Sequence, residues 1–318
     1  MNDELPTPVS EPPPPETSAA LPGPRLVLLA NSAMRARRRP AAIVVAWGFE
    51  LVLAAAVSWP LASYVNGAYG AHPLGDAPLY RPGGLALADL VIRMKAVLPS
   101  LTAHVSPLLG LGAVLGLLPI ALLVVQIAYA TPSRKPPPLK LSLARAWGAV
   151  PRLVTLLIAM GFVEGLLLLG GILAAGATAQ GTEHSLGEAR SQQLGAVVFF
   201  VFAIVVAAAG VLHDVARTAA IRFDVGALRA LRLAGNAMRR GVLALMWSWT
   251  WRAVIGLLPV VIAAALSAKL AGHGAAAFWA IALIHQLVIL TRVALRASWL
   301  AKALRVVDDA HKVRRASA

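Results

Sequence analysis

Six long apolar runs divide this chain, and they constrain its fold more than any other feature. A bilayer core about 30 Å thick needs about 20 apolar residues in helical form to cross it, and each run reaches that length. Soluble domains typically have about 25% charged residues, whereas this chain has 14% and is 58% hydrophobic. We therefore predict an all-α polytopic membrane helix bundle with six transmembrane helices. The predicted spans are about 41–63, 106–130, 151–176, 194–213, 242–268 and 275–298.

Lys and Arg residues are distributed unevenly among the segments that join these runs. One set of alternate segments, together with both termini, contains 21 of them, and the other set contains five. Because cytoplasmic loops carry the excess of Lys and Arg, this asymmetry predicts an inner (cell) membrane protein with both termini in the cytoplasm. The formal charge of +15 would suggest nucleic acid in a soluble protein. Here the basic residues flank apolar runs, so anionic lipid headgroups are the expected partner instead.

The flanking segments predict three regions along the chain. Residues 1–24 combine many prolines with acidic residues, which is typical of a disordered cytoplasmic tail. Residues 25–305 form the predicted six-span membrane domain, and 306–318 form a basic cytoplasmic tail. The first external loop, about 64–105, contains apolar residues at helical spacing between positions 87 and 101. This pattern predicts an amphipathic helix, which either covers the span ends or contacts a partner protein.

A second amphipathic helix is predicted at about 220–240. At 100° per residue its arginines fall on one arc, and apolar residues take the opposite side. We expect this arc to face lipid phosphates; the alternative is a helix that caps the bundle with a solvated basic face. The lipid-headgroup candidates are Arg222, Arg229, Arg232, Arg239 and Arg240.

Ionisable residues also occur inside the apolar runs. Such groups are costly in a membrane and usually face the bundle interior, either in interhelical pairs or along a proton or substrate path. Counted from the predicted cytoplasmic ends, Glu50 shares a depth with Arg252 and Arg292, so we expect it to contact one of them. Glu164 and His285 fall nearer the midplane and are expected to form a second layer. These five residues are the intramembrane candidates.

Two segments that precede predicted spans resemble each other. Residues 29–35 and 233–239 share a Leu, two Ala, a Met and an Arg at matching positions, and 144–147 is a looser match. The pattern suggests three copies of an interfacial helix followed by a two-span hairpin. Chance similarity between Ala- and Arg-rich segments is the alternative.

Motifs of enzymatic chemistry are missing from the sequence. It has no cysteine, no His-Glu-x-x-His, no Gly-x-Ser-x-Gly and no Gly-rich phosphate loop. The chain is therefore expected not to be an enzyme and to use no metal or other cofactor. Its external histidines match no metal-ligand spacing.

A family resemblance is carried by residues 142–147, 214–220 and the set Gln286, Arg292 and Arg296. In these segments the chain resembles uncharacterised bacterial six-span integral membrane proteins. It is more distantly similar to the membrane domain of some glycerophosphodiester phosphodiesterases. That membrane domain implies no catalytic residues, and the fused soluble enzyme domain has no counterpart here, so the resemblance implies no phosphodiesterase activity.

Two functions remain open from the sequence. The first is a non-enzymatic envelope accessory or scaffold protein that contacts anionic lipid, with a membrane protein as a second expected partner, and the basic cytoplasmic face favours it. The alternative is a small transporter or permease that uses the buried charged residues.

Overall fold

The structure, a computed structural model, describes residues 26–69, 85–133, 135–270 and 273–316. Nearly all of this part of the chain is helical. Its α-helices are α1 (Pro40–Tyr69), α2 (Leu85–Leu115), α3 (Leu117–Ala128), α4 (Leu139–Leu186), α5 (Glu188–Phe223), α6 (Ala227–Arg239), α7 (Val242–Leu270) and α8 (Ala275–Ala316).

Six helical segments are long and apolar enough to cross a membrane, and each overlaps one predicted span. The prediction of an all-α, multi-pass helix bundle is confirmed. The helices extend well past the predicted spans, since a helix can continue beyond the bilayer when protein packing supports it. The six segments are Pro40–Gly67, Val105–Ala128, Leu139–Leu186, Glu188–Phe223, Val242–Leu270 and Ala276–Lys312.

Consecutive long helices pack as antiparallel hairpins. The α4–α5 hairpin turns at Gly187, whose φ of 77° lies in the left-handed region that favours glycine. Its two helices approach closely at small residues: a β-carbon on Gly195 would lie 2.8 Å from the carbonyl oxygen of Ala175. α7 and α8 form the next hairpin, and α1 packs on α2 and α3, while α8 also contacts α1, α3, α5 and α6.

One end of the bundle contains most of the buried core, and we call it the basic end. It comprises residues 26–39, α3, residues 129–130, α6, the first halves of α1, α4 and α7, and the last halves of α5 and α8. Leu122, Ile127, Leu153, Leu300 and Leu304 are at most 1% exposed there. At the opposite end, which we call the apolar half, the same long helices leave most of their apolar side chains exposed, as helices facing lipid would.

The C-terminus of α3 is the structural centre of the basic end. Its last carbonyl groups have no partner within the helix and would be costly to bury unsatisfied. Leu29 N–H donates to Ala128 O at 2.9 Å, where strand β1 (Val27–Leu28) pairs antiparallel with β2 (Tyr129–Ala130). Arg222 Nη1 donates to the same oxygen at 3.0 Å, and Arg39 donates to the carbonyls of Gln126 and Tyr129.

The predicted amphipathic helix of the first external loop is part of a longer element. α2 is continuous from Leu85 to Leu115 and so contains both that segment and the first half of the predicted second span. Gly112 packs closely against Leu53 of α1; α2 ends at Leu115, and the largely buried α3 begins after Gly116. The predicted loop residues 70–84 and the tail 1–24 lie outside the described residues.

The predicted C-terminal tail, 306–318, is helical as far as residue 316. α8 continues through it to Ala316, and Val307 and Asp308 are buried against the rest of the basic end. The boundary at 305 therefore falls within a packed helix, because the long α8 covers α5, α6 and the N-terminal segment.

The two similar pre-span segments adopt different conformations. Residues 29–35 contain a short 3-10 turn at Asn31–Ala33, whereas 233–239 lie within α6. Their similarity in sequence is thus not matched by similar local structure. Both segments pack near the end of α8.

Candidate functional site

A layer of polar side chains crosses the bundle where the basic end meets the apolar half. Glu164 of α4 and His213 of α5 form its first pair, with Glu164 Oε1 3.1 Å from His213 Nδ1. The expected partner of Glu164, His285, is instead exposed on α8, and its Nδ1 lies 2.9 Å from its own helix carbonyl Ile281 O. The sequence prediction was wrong here because equal depth does not make two helices neighbours.

Asp214 is the centre of this layer. Its Oδ1 accepts from Arg217 Nη1 at 3.1 Å and lies 3.9 Å from Arg296 Nη2. Its Oδ2 accepts from Trp299 Nε1 at 3.0 Å. The carboxylate therefore joins α5 to α8 through the Arg296 guanidinium and the Trp299 indole, while Arg217 binds it from α5 itself.

The predicted inner-half residues Glu50, Arg252 and Arg292 all line one cavity of about 530 Å³ between α1, α7 and α8. We call it the lateral cavity; Asp214 and Arg296 lie at its base. The expected ion pair is nevertheless not formed: in the described part of the chain, no N–O distance of 4.0 Å or less joins Glu50 to a basic group. Arg252 instead donates to Ser248 O, Ser248 Oγ and Ser298 Oγ.

The predicted helix at 220–240 is broken into two elements. α5 ends at Phe223, Asp224 adopts a left-handed conformation with φ of 55°, and α6 begins at Ala227. Arg222 therefore lies on α5 and does not face lipid. It is 7% exposed and lies 3.0 Å from Asp308, so its assignment to the lipid-facing arc is corrected.

The other four predicted headgroup residues are exposed on α6, whose alanines Ala230, Ala234 and Ala237 pack into the core. Three of the four line a cavity of about 680 Å³ between α6 and the end of α8. We call this the α6 cleft. Its polar lining comprises Arg232, Asn236, Arg239, Arg240 and His311.

Exposed apolar side chains occur on α6 and at the start of α7, close in sequence to the arginines of the α6 cleft. Leu228 is 74% exposed, Leu243 83% and Trp247 72%. Arginines next to exposed leucine and tryptophan side chains are typical of a surface at the membrane interface.

Burial shifts the pKa values of two side chains that lie just outside the membrane-spanning segments. The pKa of Tyr129 is raised, chiefly by burial, against the opposing charge and hydrogen bond of Arg145. The pKa of Arg39 is lowered, chiefly by burial and secondarily by the neighbouring charge of Arg38. Both side chains contribute to the hydrogen bonds around the end of α3.

Several ionisable residues of this end were not among the candidate site residues named from the sequence: His213, Asp214, Arg217 and Asp308. The first three lie at or beyond the predicted end of the fourth span, where charges look like ordinary loop residues. Asp308 lay in the predicted tail. For Asp214 and Asp308, the signal in the sequence was an acidic residue among many basic ones, which favours an ion pair.

The chemistry available at these sites is ion pairing and hydrogen bonding to anionic or zwitterionic groups. Within the described segments, no three His, Asp or Glu side chains stand close enough together to hold a metal ion. Arginine is suited to phosphate because its planar guanidinium donates two parallel hydrogen bonds.

Comparisons with known proteins add no relative. No family model matches this chain, and neither the curated proteins nor the solved structures contain a significant match. The resemblance to bacterial six-span proteins and to the phosphodiesterase membrane domain therefore stays a prediction.

Proposed function

We propose that this protein is a non-enzymatic accessory or scaffold protein of the cell (inner) membrane, whose basic end binds anionic phospholipid headgroups. The observation that carries the proposal is the α6 cleft. It brings Arg232, Arg239 and Arg240 together on a surface with exposed apolar neighbours. A basic residue near an anionic membrane surface contributes about 1 kcal/mol.

The distribution of Lys and Arg also supports an orientation of the protein in the membrane. The basic end carries most of the Lys and Arg residues, so it faces the cytoplasm with both termini. A cysteine at Ser133 should then be protected from a membrane-impermeant thiol reagent added outside intact cells, whereas a cysteine at Gly187 should react. Labelling at Ser133 and protection at Gly187 would reverse the orientation.

Lipid binding can be tested on the full-length protein in detergent by native mass spectrometry with phosphatidylglycerol. Replacing the cleft arginines Arg232, Arg239 and Arg240 with Gln should lower the affinity at least about fivefold, given the contribution of each basic residue. The matched control replaces Arg35, Arg37 and Arg38 with Gln. These exposed arginines carry the same charge at the same end of the bundle, but they do not line the α6 cleft. Equal losses in both variants, or none in the α6 variant, would contradict a specific role for the cleft.

The transporter alternative draws on the ionisable residues of the polar layer, such as Glu164, and on those of the lateral cavity. Its support is weaker because those residues lie at one level of the bundle and not along a path through it. Glu164→Gln separates the two functions: loss of a solute flux in reconstituted vesicles would favour the transporter, and altered assembly without a change of flux would favour the scaffold.

A further inference from the structure

The lateral cavity contains two charged groups that the protein itself does not pair. Among its polar groups, Asp214 is bound to Arg217 and Trp299, and Arg252 to serine oxygens. Glu50 and Arg292 are exposed at the cavity wall, and in the described part of the chain neither has an ion pair or a side-chain hydrogen bond. The cavity thus presents one unpaired carboxylate and one unpaired guanidinium.

The walls of the cavity change character along the bundle axis. Arg252 and Arg296 lie toward the basic end, while Leu257 and Val260, one and two turns beyond Arg252, lie on the opposite side. On α1, Ala54 lies one turn beyond Glu50 in the same direction. A polar base below apolar walls is the complement of an amphiphile whose headgroup points toward the basic end.

The polar base also lies at the depth of a lipid headgroup. Glu50 lies about 19 residues before the end of α1, Arg252 about 18 before the end of α7, and Arg292 about 17 after the start of α8. At ~1.5 Å per residue these distances are roughly 25–29 Å, close to the ~30 Å hydrocarbon thickness of a bilayer. When the opposite helix ends sit at one membrane face, the cavity base reaches the phosphate level of the other leaflet.

We infer that the lateral cavity binds one phospholipid with a primary-ammonium zwitterionic headgroup, of the phosphoethanolamine class. Arg292 binds the phosphate, with the positive field of Arg252 and Arg296 behind it. The carboxylate of Glu50 accepts hydrogen bonds from the ammonium group, and the acyl chains lie along Ala54, Leu257 and Val260. A choline headgroup has no N–H to donate, so the site discriminates against it.

This site differs from the α6 cleft in place and in ligand. The cleft has basic residues and no unpaired carboxylate, which suits a net anionic headgroup. Opposite charges in the lateral cavity suit a headgroup that carries both. The inference therefore stands independently of the proposed function.

The test is native mass spectrometry of the full-length protein in detergent, titrated with phosphatidylethanolamine, phosphatidylcholine and phosphatidylglycerol of identical acyl chains. The wild type should bind phosphatidylethanolamine about tenfold more tightly than phosphatidylcholine, as expected for hydrogen bonds to a charged group. Glu50→Gln should reduce this preference to within about twofold. The control Glu183→Gln, an exposed carboxylate at the opposite end, should keep the tenfold preference.

Two further variants separate the contributions of headgroup and cavity. Arg292→Gln should weaken both zwitterionic lipids about tenfold because both carry the phosphate, whereas Arg190→Gln at the opposite end should not. Ala54→Trp fills the cavity without changing charge and should weaken both lipids in the same way. The α6 triple variant should lower phosphatidylglycerol binding and leave the preference for ethanolamine over choline intact.

Several outcomes would overturn the inference. Equal affinity of the wild type for the ethanolamine and choline lipids would exclude recognition of the ammonium group. An unchanged preference in Glu50→Gln would remove Glu50 from the site. Preferential binding of phosphatidylglycerol that increases in Glu50→Gln would identify an anionic lipid as the occupant and contradict the zwitterionic assignment.

Discussion

The two halves of this bundle are built from the same helices but solve different physical problems. At the basic end, Leu153 of α4 is fully buried, whereas Leu173, on the same helix in the apolar half, is 63% exposed. Outside a bilayer, apolar side chains must be buried against the protein itself. Within lipid they gain little by burial, because lipid tails are as apolar as leucine. The difference shows where the protein supplies its own interior and where the membrane supplies the surroundings.

Polar groups follow the same division. The basic end buries Arg39, Arg222 and Asp308 and satisfies them with helix carbonyls and ion pairs. The described part of the apolar half has few such groups, and its helices α4 and α5 approach each other closely at Gly171 and Gly195. The stability of the protein should therefore depend mainly on the basic end.

The largest effect is expected from Arg222→Gln. This change removes the buried one of the two cations that pair with Asp308, leaving only the more exposed Lys312, and it removes donors from Ala128 O and Leu29 O. Breaking a buried ion pair costs about 3–5 kcal/mol, so the free energy of unfolding in detergent should fall by that amount. The exposed Arg240 provides the control, and Arg240→Gln should cost less than about 1 kcal/mol. Similar losses in the two variants would mean that the arginine cap of α3 is not a stabilising feature.

Leu153→Ala and Leu173→Ala compare the two halves directly. The first leaves a cavity in a packed core and should lower the free energy of unfolding by about 2–5 kcal/mol. The second removes a side chain that faces lipid and should cost less than about 1 kcal/mol. Both residues lie on α4, so helix propensity is matched. Equal effects, measured by reversible unfolding in lipid-detergent micelles, would remove the distinction between the halves.

Gly195→Val tests a place where two helices of the apolar half pack tightly. Its β-carbon would lie 2.8 Å from Ala175 O, a backbone atom that cannot move aside without shifting α4. Overpacking of this kind costs about 1–3 kcal/mol. Gly176→Val has no atom within 4 Å of its added β-carbon and controls for the change in helix propensity. If both variants unfold alike, the α4–α5 contact is as loose as the rest of this half.

Tyr129→Phe should have the smallest effect at neutral pH, about 1 kcal/mol, through loss of its hydrogen bonds to Arg145 and Ile221 O. Burial raises the pKa of Tyr129 in the folded protein, so its contribution is complete below the unfolded pKa of about 10. The free energy of unfolding should then fall as the pH rises from the unfolded pKa of Tyr129 through its folded pKa. Unfolding measurements between neutral and alkaline pH should show a shallower decline for Tyr129→Phe. An identical decline in the variant would assign the pH dependence to other groups.

The candidate sites show how far sequence reasoning extends. The predicted spans and the basic amphipathic character of α6 rest on periodicity and composition, which are local properties of the chain. The depth of a residue along its helix can also be counted from the sequence. Glu50, Arg252 and Arg292, which this count placed at one depth, all line one cavity. Pairing was not predictable: Glu164 contacts His213 and not His285, because rotation about each helix axis and the order of neighbours decide which side chains meet.

The sequence by itself determined the membrane class, the six apolar segments and the concentration of positive charge on one set of connecting segments. These follow from the cost of burying polar groups in lipid, which acts on each segment separately. Only the tertiary structure decided that Arg222 is buried, that α8 continues through the expected tail, and that Glu50 and Arg292 stay unpaired in a shared cavity. Those outcomes depend on contacts between helices distant in sequence, since a buried charge becomes tolerable only where another element supplies its partner.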